Sequence, residues 1–257
     1  MTNESTPVGD GRGVEYRGSD MRGAQFRRVD LRDAWFRQVD LRGVRMRGVA
    51  LDDADLDGEM DGLRIWGVEV VPLVEAELDR RHPERAVLHV TEPADLQAGW
   101  AGLEAMWATT LERVAGMPAG TPDVSVDGEW SFADTLRHLV LATDAWLGKA
   151  ILGRERPFHP LGVLFSEAVG HEAEYGLDAA ADPSYEAVLE ARAGRVAMVR
   201  DYLATVTPSE LAGERSDPWG DAGRPTVLQC LRVIFQEEWH HHRYAVRDLD
   251  TIAAGGQ

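Results

Sequence analysis

The chain has almost no cysteine. Cys230 stands alone among 257 residues, so no intramolecular disulfide can close, and stability must come from packing or in part from a metal, as expected in a reducing compartment. No apolar run approaches membrane-spanning length, and the opening Met-Thr-Asn-Glu-Ser-Thr-Pro lacks the basic and then apolar pattern of a secretory signal. These absences lead to the expectation of a cytoplasmic protein with no membrane partner. With 44% hydrophobic and 28% charged residues, the chain is too apolar to be disordered throughout. Its length favours two unequal domains.

Positive charge is scarce beyond the N-terminal fifth. Residues 1–51 hold 10 Arg and 7 acids, a net +3, whereas residues 52–257 hold 17 basic and 37 acidic residues, a net -20. An acidic surface of that size repels phosphate backbones, so no nucleic acid is expected as a partner of the larger part.

From Gly13 the sequence reads GVEYR, GSDMR, GAQFR, RVDLR, DAWFR, QVDLR, GVRMR, GVALD and DADLD, nine pentapeptides without a break. A large apolar residue recurs at Tyr16, Met21, Phe26, Leu31, Phe36, Leu41, Met46, Leu51 and Leu56, with a smaller residue two places before each. Period five fits neither a helix, near 3.6, nor a strand, at 2. The stretch resembles the pentapeptide-repeat family, which implies a short right-handed β-helix of two to three coils over residues 13–71. A weaker continuation runs through Leu63, Ile65 and Val68. Arg follows the central residue at 17, 22, 27, 32, 37, 42 and 47, which reads as an ion-paired exterior shared with Asp20, Asp30 and Asp40.

Residues 72–91 break the period and are read as a linker, with a short helix open to Val74–Arg81. A helical bundle is expected over 92–252, making the whole mostly α with a small β part. The first helix opens after Thr91, a potential cap, and carries the stripe Leu96, Trp100, Leu103, Trp107, Thr110 and Val114. The second runs from Ser131 to about Leu152, the third from Ser184 to Thr205, and the fourth from near Thr226 to about Asp250. Four helices of similar length make a four-helix bundle the economical architecture. The connection from Gly153 to Pro183 exceeds usual loop lengths and points to an overlying segment.

The chemistry lies on the last helix. Leu228, Leu231, Phe235, Glu238, His242, Ala245 and Leu249 follow at spacings of three and four, which turns Glu238 and His242 toward the interior. Their four-residue spacing puts both on one face, where they can converge on one ion. His138, whose helical face is otherwise apolar, supplies a third ligand. His138, Glu238 and His242 thus form the leading metal set, of a type suited to Zn, Ni, Fe or Mn. Glu237 and His241, one step around the helix, compete at the same spacing. A metal-free alternative joins His138, Glu238 and Arg192 in a buried network. Arg192, on the core line of the third helix, either pairs with Glu238 or grips an anionic substrate. His159, in Pro157-Phe158-His159-Pro160, is a second substrate-binding candidate. Cys230 reads as a buried core thiol.

The Trp-Ser-Phe-Ala-Asp-Thr-Leu-Arg-His-Leu segment around His138 and the Gln-Glu-Glu-Trp-His-His-His-Arg run at 236–243 resemble the DinB-like superfamily of four-helix bundles, over roughly residues 95–250. That superfamily includes mycothiol- and bacillithiol-dependent transferases and isomerases. It usually carries one histidine on the second helix and two, four apart, on the last, the second followed by Arg. Aligning that Arg with Arg243 puts Glu238 where the first histidine is usual. The resemblance implies a divalent metal, a low-molecular-weight thiol held as thiolate, and a small-molecule substrate. The alternative is a non-catalytic interaction protein with a degenerate metal site, meeting a protein partner through residues 13–71. The oligomeric state is left open.

Overall fold

Helices dominate the computed structural model of the chain, which describes residues 14–37, 39–58, 60–164, 172–178, 180–220 and 223–255. Gly13, where the repeat series begins, and Gln38 lie outside them. By its contacts the chain divides into two units, 1–47 and 48–257, so the last repeats fall in the same unit as the helices.

Along 14–58 the backbone turns every five residues. φ is positive at Gly18, Gly23, Arg28, Asp33, Gly43, Gly48, Asp53 and Gly58, each two residues after a central side chain. The left-handed region is free to Gly and tolerated by Asp, which is why the repeat favours those residues there. Every second turn is closed by an amide of Ala24, Ala34, Val44 or Ala54 donating to the carbonyl three residues earlier. Asp20, Asp30 and Asp40 each accept from the backbone and guanidinium of the Arg two residues on, Arg22, Arg32 and Arg42. These hydrogen bonds hold the three carboxyls at about 2.

The repeats are present, but no β-helix is seen. Among the described residues of the segment there is no strand and no backbone hydrogen bond between successive coils. The nine central side chains remain 40% to 60% exposed. A coil hides its central residues only between coils above and below it, and a series this short consists almost wholly of ends. The weaker continuation folds instead as a hairpin of two-residue strands, β1 (Arg64–Ile65) and β2 (Val68–Glu69), paired antiparallel. Its turn places both Trp66 and Gly67 at positive φ.

Residues read as a linker are ordered structure. Helix α1 (Val71–Arg81) leads into a 3-10 segment, Pro83–His89, whose Arg85, Val87 and Leu88 are buried. The Arg85 guanidinium is held by Glu75 and by Asp79 at 2.8 Å, and lies 4.4 Å over the Trp239 ring. These contacts fasten the segment to the bundle.

The bundle consists of α2 (Pro93–Ala115), α3 (Phe132–Thr143), α4 (Tyr185–Leu203) and α5 (Val227–Gly255). Leu96, Trp100, Leu103, Trp107, Thr110 and Val114 are the buried residues of α2, the stripe that spacing gives. The helix starts at Pro93 with Glu92 in the cap position, so the expected cap Thr91 lies one residue outside. Ser131 does cap α3: its Oγ accepts from the Asp134 amide at 3.1 Å and donates to the Asp134 carboxylate at 2.8 Å. Beyond Thr143 the helix widens into π-helical turns over Asp144–Ile151. At that junction the buried Asp144 carboxylate takes both Arg195 (2.8 and 3.0 Å) and the His159 amide (2.8 Å). Leu231, Ile234 and Phe235 of α5 are almost fully buried, and Phe235 stacks on Trp100 at 5.6 Å.

Described residues of the long connection after residue 152 lie against α3. Arg137 Nε donates to the Leu161 carbonyl at 2.9 Å, and Leu164 and Leu177 pack with Leu141. Phe158, Tyr175 and Trp219 form an aromatic cluster, with centroids 5.3 to 6.0 Å apart, that joins this connection to the one before α5.

Close approach of the 3-10 segment to α2 depends on Gly99, where a Cβ would stand 2.0 Å from Val87 Cγ2. Gly99→Ala should therefore lower stability by about 1–3 kcal/mol in spite of its better helix propensity. Urea unfolding of the full chain measures this, and an unchanged midpoint would show that the contact yields without cost.

Candidate metal centre

The core stripe of α5 meets polar residues that the neighbouring helices also carry in their stripes. Glu238, 1% exposed, is paired with the buried Arg192 of α4. Burial raises the Glu238 carboxyl, against the pull of the Arg192 guanidinium. His242 Nε2 sits 2.8 Å from the Thr110 hydroxyl of α2, and its ring meets Trp107 edge-on at 5.0 Å. Both side chains of the leading pair are thus engaged away from His138. The leading trio is not brought together.

One step around the helix the arrangement differs. His138, Glu237 and His241 each place a ligand-type atom within 4.8 Å of the other two, and they form the one such group among the described residues. Glu237 Oε2 lies 3.4 Å from His138 Nε2 and 3.2 Å from His241 Nδ1. Although the Glu237 side chain is partly exposed, this oxygen is buried and has no hydrogen-bond partner. Geometry explains the offset. The middle of the α5 stripe points between α2 and α4, whereas α3, which carries His138, flanks it, so the residues that meet α3 are those displaced by one position, about 100°.

The His138 ring has a fixed tautomer. Its Nδ1 is 3.1 Å from the Val163 carbonyl, which can only accept, so Nδ1 carries a proton and Nε2 is the nitrogen that faces Glu237. Such an anchor is the usual way a ligating imidazole is oriented. His241 is pushed down to about 4, by burial first and then by the nearby His138 ring, with Glu237 opposing. Burial pushes Glu237 up, but the imidazoles of His138, His241 and His240 outweigh it and leave the carboxyl below its ordinary value. At neutral pH His241 is uncharged; its Nδ1 also lies 3.0 Å from the Glu237 backbone carbonyl, an acceptor that holds the ring proton there and that an ion bound through Nδ1 would displace. An orphaned carboxylate oxygen between two imidazole nitrogens fits a divalent ion.

The remaining candidates are held elsewhere. Arg192 pairs with Glu238 through one Nη, while its other Nη donates no hydrogen bond and Glu238 Oε1 accepts none. His159 caps the π-helical junction through its amide, and its Nδ1 accepts from the Leu161 amide at 3.2 Å. Cys230 is fully buried and its thiol is pushed up to about 11 by burial, which leaves little thiolate.

Sequence reasoning did not single out Trp130. Its indole lies 4.5 Å from the His138 ring and 6.0 Å from the His241 ring, while the two imidazoles stack at 4.8 Å. The available signal was its position just before the Ser131 cap, two helical turns from His138. Tyr244 meets His241 edge-on at 6.0 Å, and its hydroxyl, with Arg243, binds Asp57 at 3.0 Å.

The fold and this cluster define a helical bundle with a histidine and carboxylate group set between its second and last long helices. The sequence profile of the DinB superfamily matches residues 102–245, more than half of the chain, and the protein belongs to that superfamily. Pentapeptide repeats match in eight copies over residues 19–58. Comparison with curated proteins and with solved structures gives no match. Among the described residues no helix is long and apolar enough to cross a membrane.

His240 and His242 are also lowered, chiefly by burial. Below about 6.5, the ordinary imidazole value, the unfolded chain takes up protons that these rings refuse. Stability of the metal-free protein should be full above that pH and fall as pH drops toward about 4, where His241 titrates. Thermal melts across this window test it: His241→Phe should make the decline shallower, and an equal decline in both proteins would assign it to other groups.

Proposed function

We propose that the protein is a divalent-metal-dependent enzyme of the DinB type, acting as a small-thiol S-transferase or isomerase with a mycothiol-like cosubstrate. The observation that carries this reading is the buried Glu237 Oε2, which accepts no hydrogen bond and stands between His138 Nε2 and His241 Nδ1. His138, Glu237 and His241 would hold the ion, which Zn, Ni, Fe or Mn each suit as N and O ligand chemistry. Bound there, the ion would lower the pKa of a thiol and supply a nucleophile at neutral pH. The chain's own part is to orient and to exclude water. Val163 fixes the His138 tautomer, Glu237 contributes the charge that offsets the cation, and the indole of Trp130 shields one side of the imidazoles.

A second reading, an interaction protein that uses the repeats, is favoured by the exposed central side chains of 14–58. In that reading deletion of residues 13–71 abolishes partner binding and metal retention is immaterial.

Protein purified without a histidine tag should retain about one divalent ion per chain. His138→Ala, Glu237→Ala and His241→Ala should each lower the affinity at least tenfold, whereas His242→Ala should leave the stoichiometry intact. Elemental analysis and equilibrium dialysis measure this, followed by a thiol-transfer screen with electrophilic acceptors. Absence of bound metal in the wild type, with unchanged melting on adding chelator, would remove the enzyme reading.

A further inference from the structure

We propose that Trp130 is the positioning residue of the metal centre: its indole braces the imidazoles of His138 and His241 from two different helices, and it strengthens as they take on a cation's charge. The proposal rests on the metal reading of His138, Glu237 and His241. It adds a residue that is not a ligand and that no spacing rule selects.

The geometry has three parts. The indole is inclined 34° to the His138 ring at 4.5 Å and 22° to the His241 ring at 6.0 Å, and the two imidazoles are inclined 28° to each other at 4.8 Å. The indole is thus tilted against the His138 ring and stacked on the His241 ring, and the two imidazoles stack on each other, although His138 belongs to α3 and His241 to α5. Trp130 is itself fixed. It immediately precedes Ser131, whose hydroxyl caps α3 and ties the chain direction at that point to the helix carrying His138. Trp130 lines a small hollow together with Phe132 and Thr135 of α3 and Ala245 and Leu249 of α5, so its ring lies at the junction of the two helices.

Ring stacking against a neutral imidazole is weak. An imidazole whose nitrogen shares electrons with a dication is electron-poor, and the electron-rich face of an indole attracts it more strongly. The brace is accordingly worth more in the loaded protein than in the empty one, which is the requirement for raising metal affinity rather than general stability. His241 has a second ring contact, the edge of Tyr244, but that contact does not reach His138.

The test uses the full chain with Co(II) and Zn(II) as probes. The wild type should bind one Co(II), and binding should quench part of the tryptophan emission. Trp130→Phe keeps an aromatic face: it should bind Co(II) within a few-fold of wild type and lose most of the metal-dependent quenching. Trp130→Leu should bind about tenfold more weakly and alter the Co(II) absorption bands, with an unfolding midpoint close to that of Trp130→Phe. In metal-free protein, carbon-bound ring protons of His138 and His241 should be shifted upfield by the indole and relax in Trp130→Leu. Equal Co(II) affinity and equal absorption bands in wild type and Trp130→Leu would overturn the positioning role while leaving the metal reading standing. Failure of the wild type to bind either ion overturns both, and ring protons unshifted in the metal-free wild type overturn the brace alone.

Discussion

The rotation of the last helix about its own axis decides what the bundle can do, and that rotation is set by buried polar groups that must be satisfied. A carboxylate removed from water without a partner is costly enough to govern packing. Glu238 therefore turns to the one guanidinium in the core stripe of α4, Arg192, and His242 turns to the hydroxyl that α2 carries in its stripe, Thr110. With those two side chains committed, Glu237 and His241 face α3, and His138 meets them there. The apolar stripe of α5 and these polar matches call for the same rotation.

Much of the bundle was legible because its spacing signals are strong. The α2 stripe, the Ser131 and Ser184 caps and the extent of α4 follow from periodicity and capping chemistry alone. The candidate site was legible in part. Spacing favoured Glu238 and His242, with Glu237 and His241 as the competing pair and Arg192 as a candidate partner of Glu238; the structure pairs Arg192 with Glu238 and sets Glu237 and His241 beside His138. The engagement of His242 by Thr110 was not read, because a hydroxyl within an apolar stripe counts as core in a spacing argument. Trp130 was hidden because ring stacking across two helices has no sequence period.

The repeat segment shows where regularity ceases to predict tertiary structure. Its five-residue turn is written in Gly and Asp at the positions of positive φ, and this local geometry is realised. Stacking depends instead on the number of coils, a property of the whole series. The charge division follows a similar logic: the Asp20, Asp30 and Asp40 pairs neutralise alternate arginines locally, so the net positive charge of the segment resides on the arginines between them.

The tie from Asp57 to Arg243 and Tyr244 gives the end of the repeat series a hold on the last helix. A carboxylate from the final repeat is grasped two and three residues beyond His241, and the Tyr244 ring that binds it also meets the His241 ring edge-on. Loss of that carboxylate, far upstream in the chain, would therefore be felt one ring away from the centre.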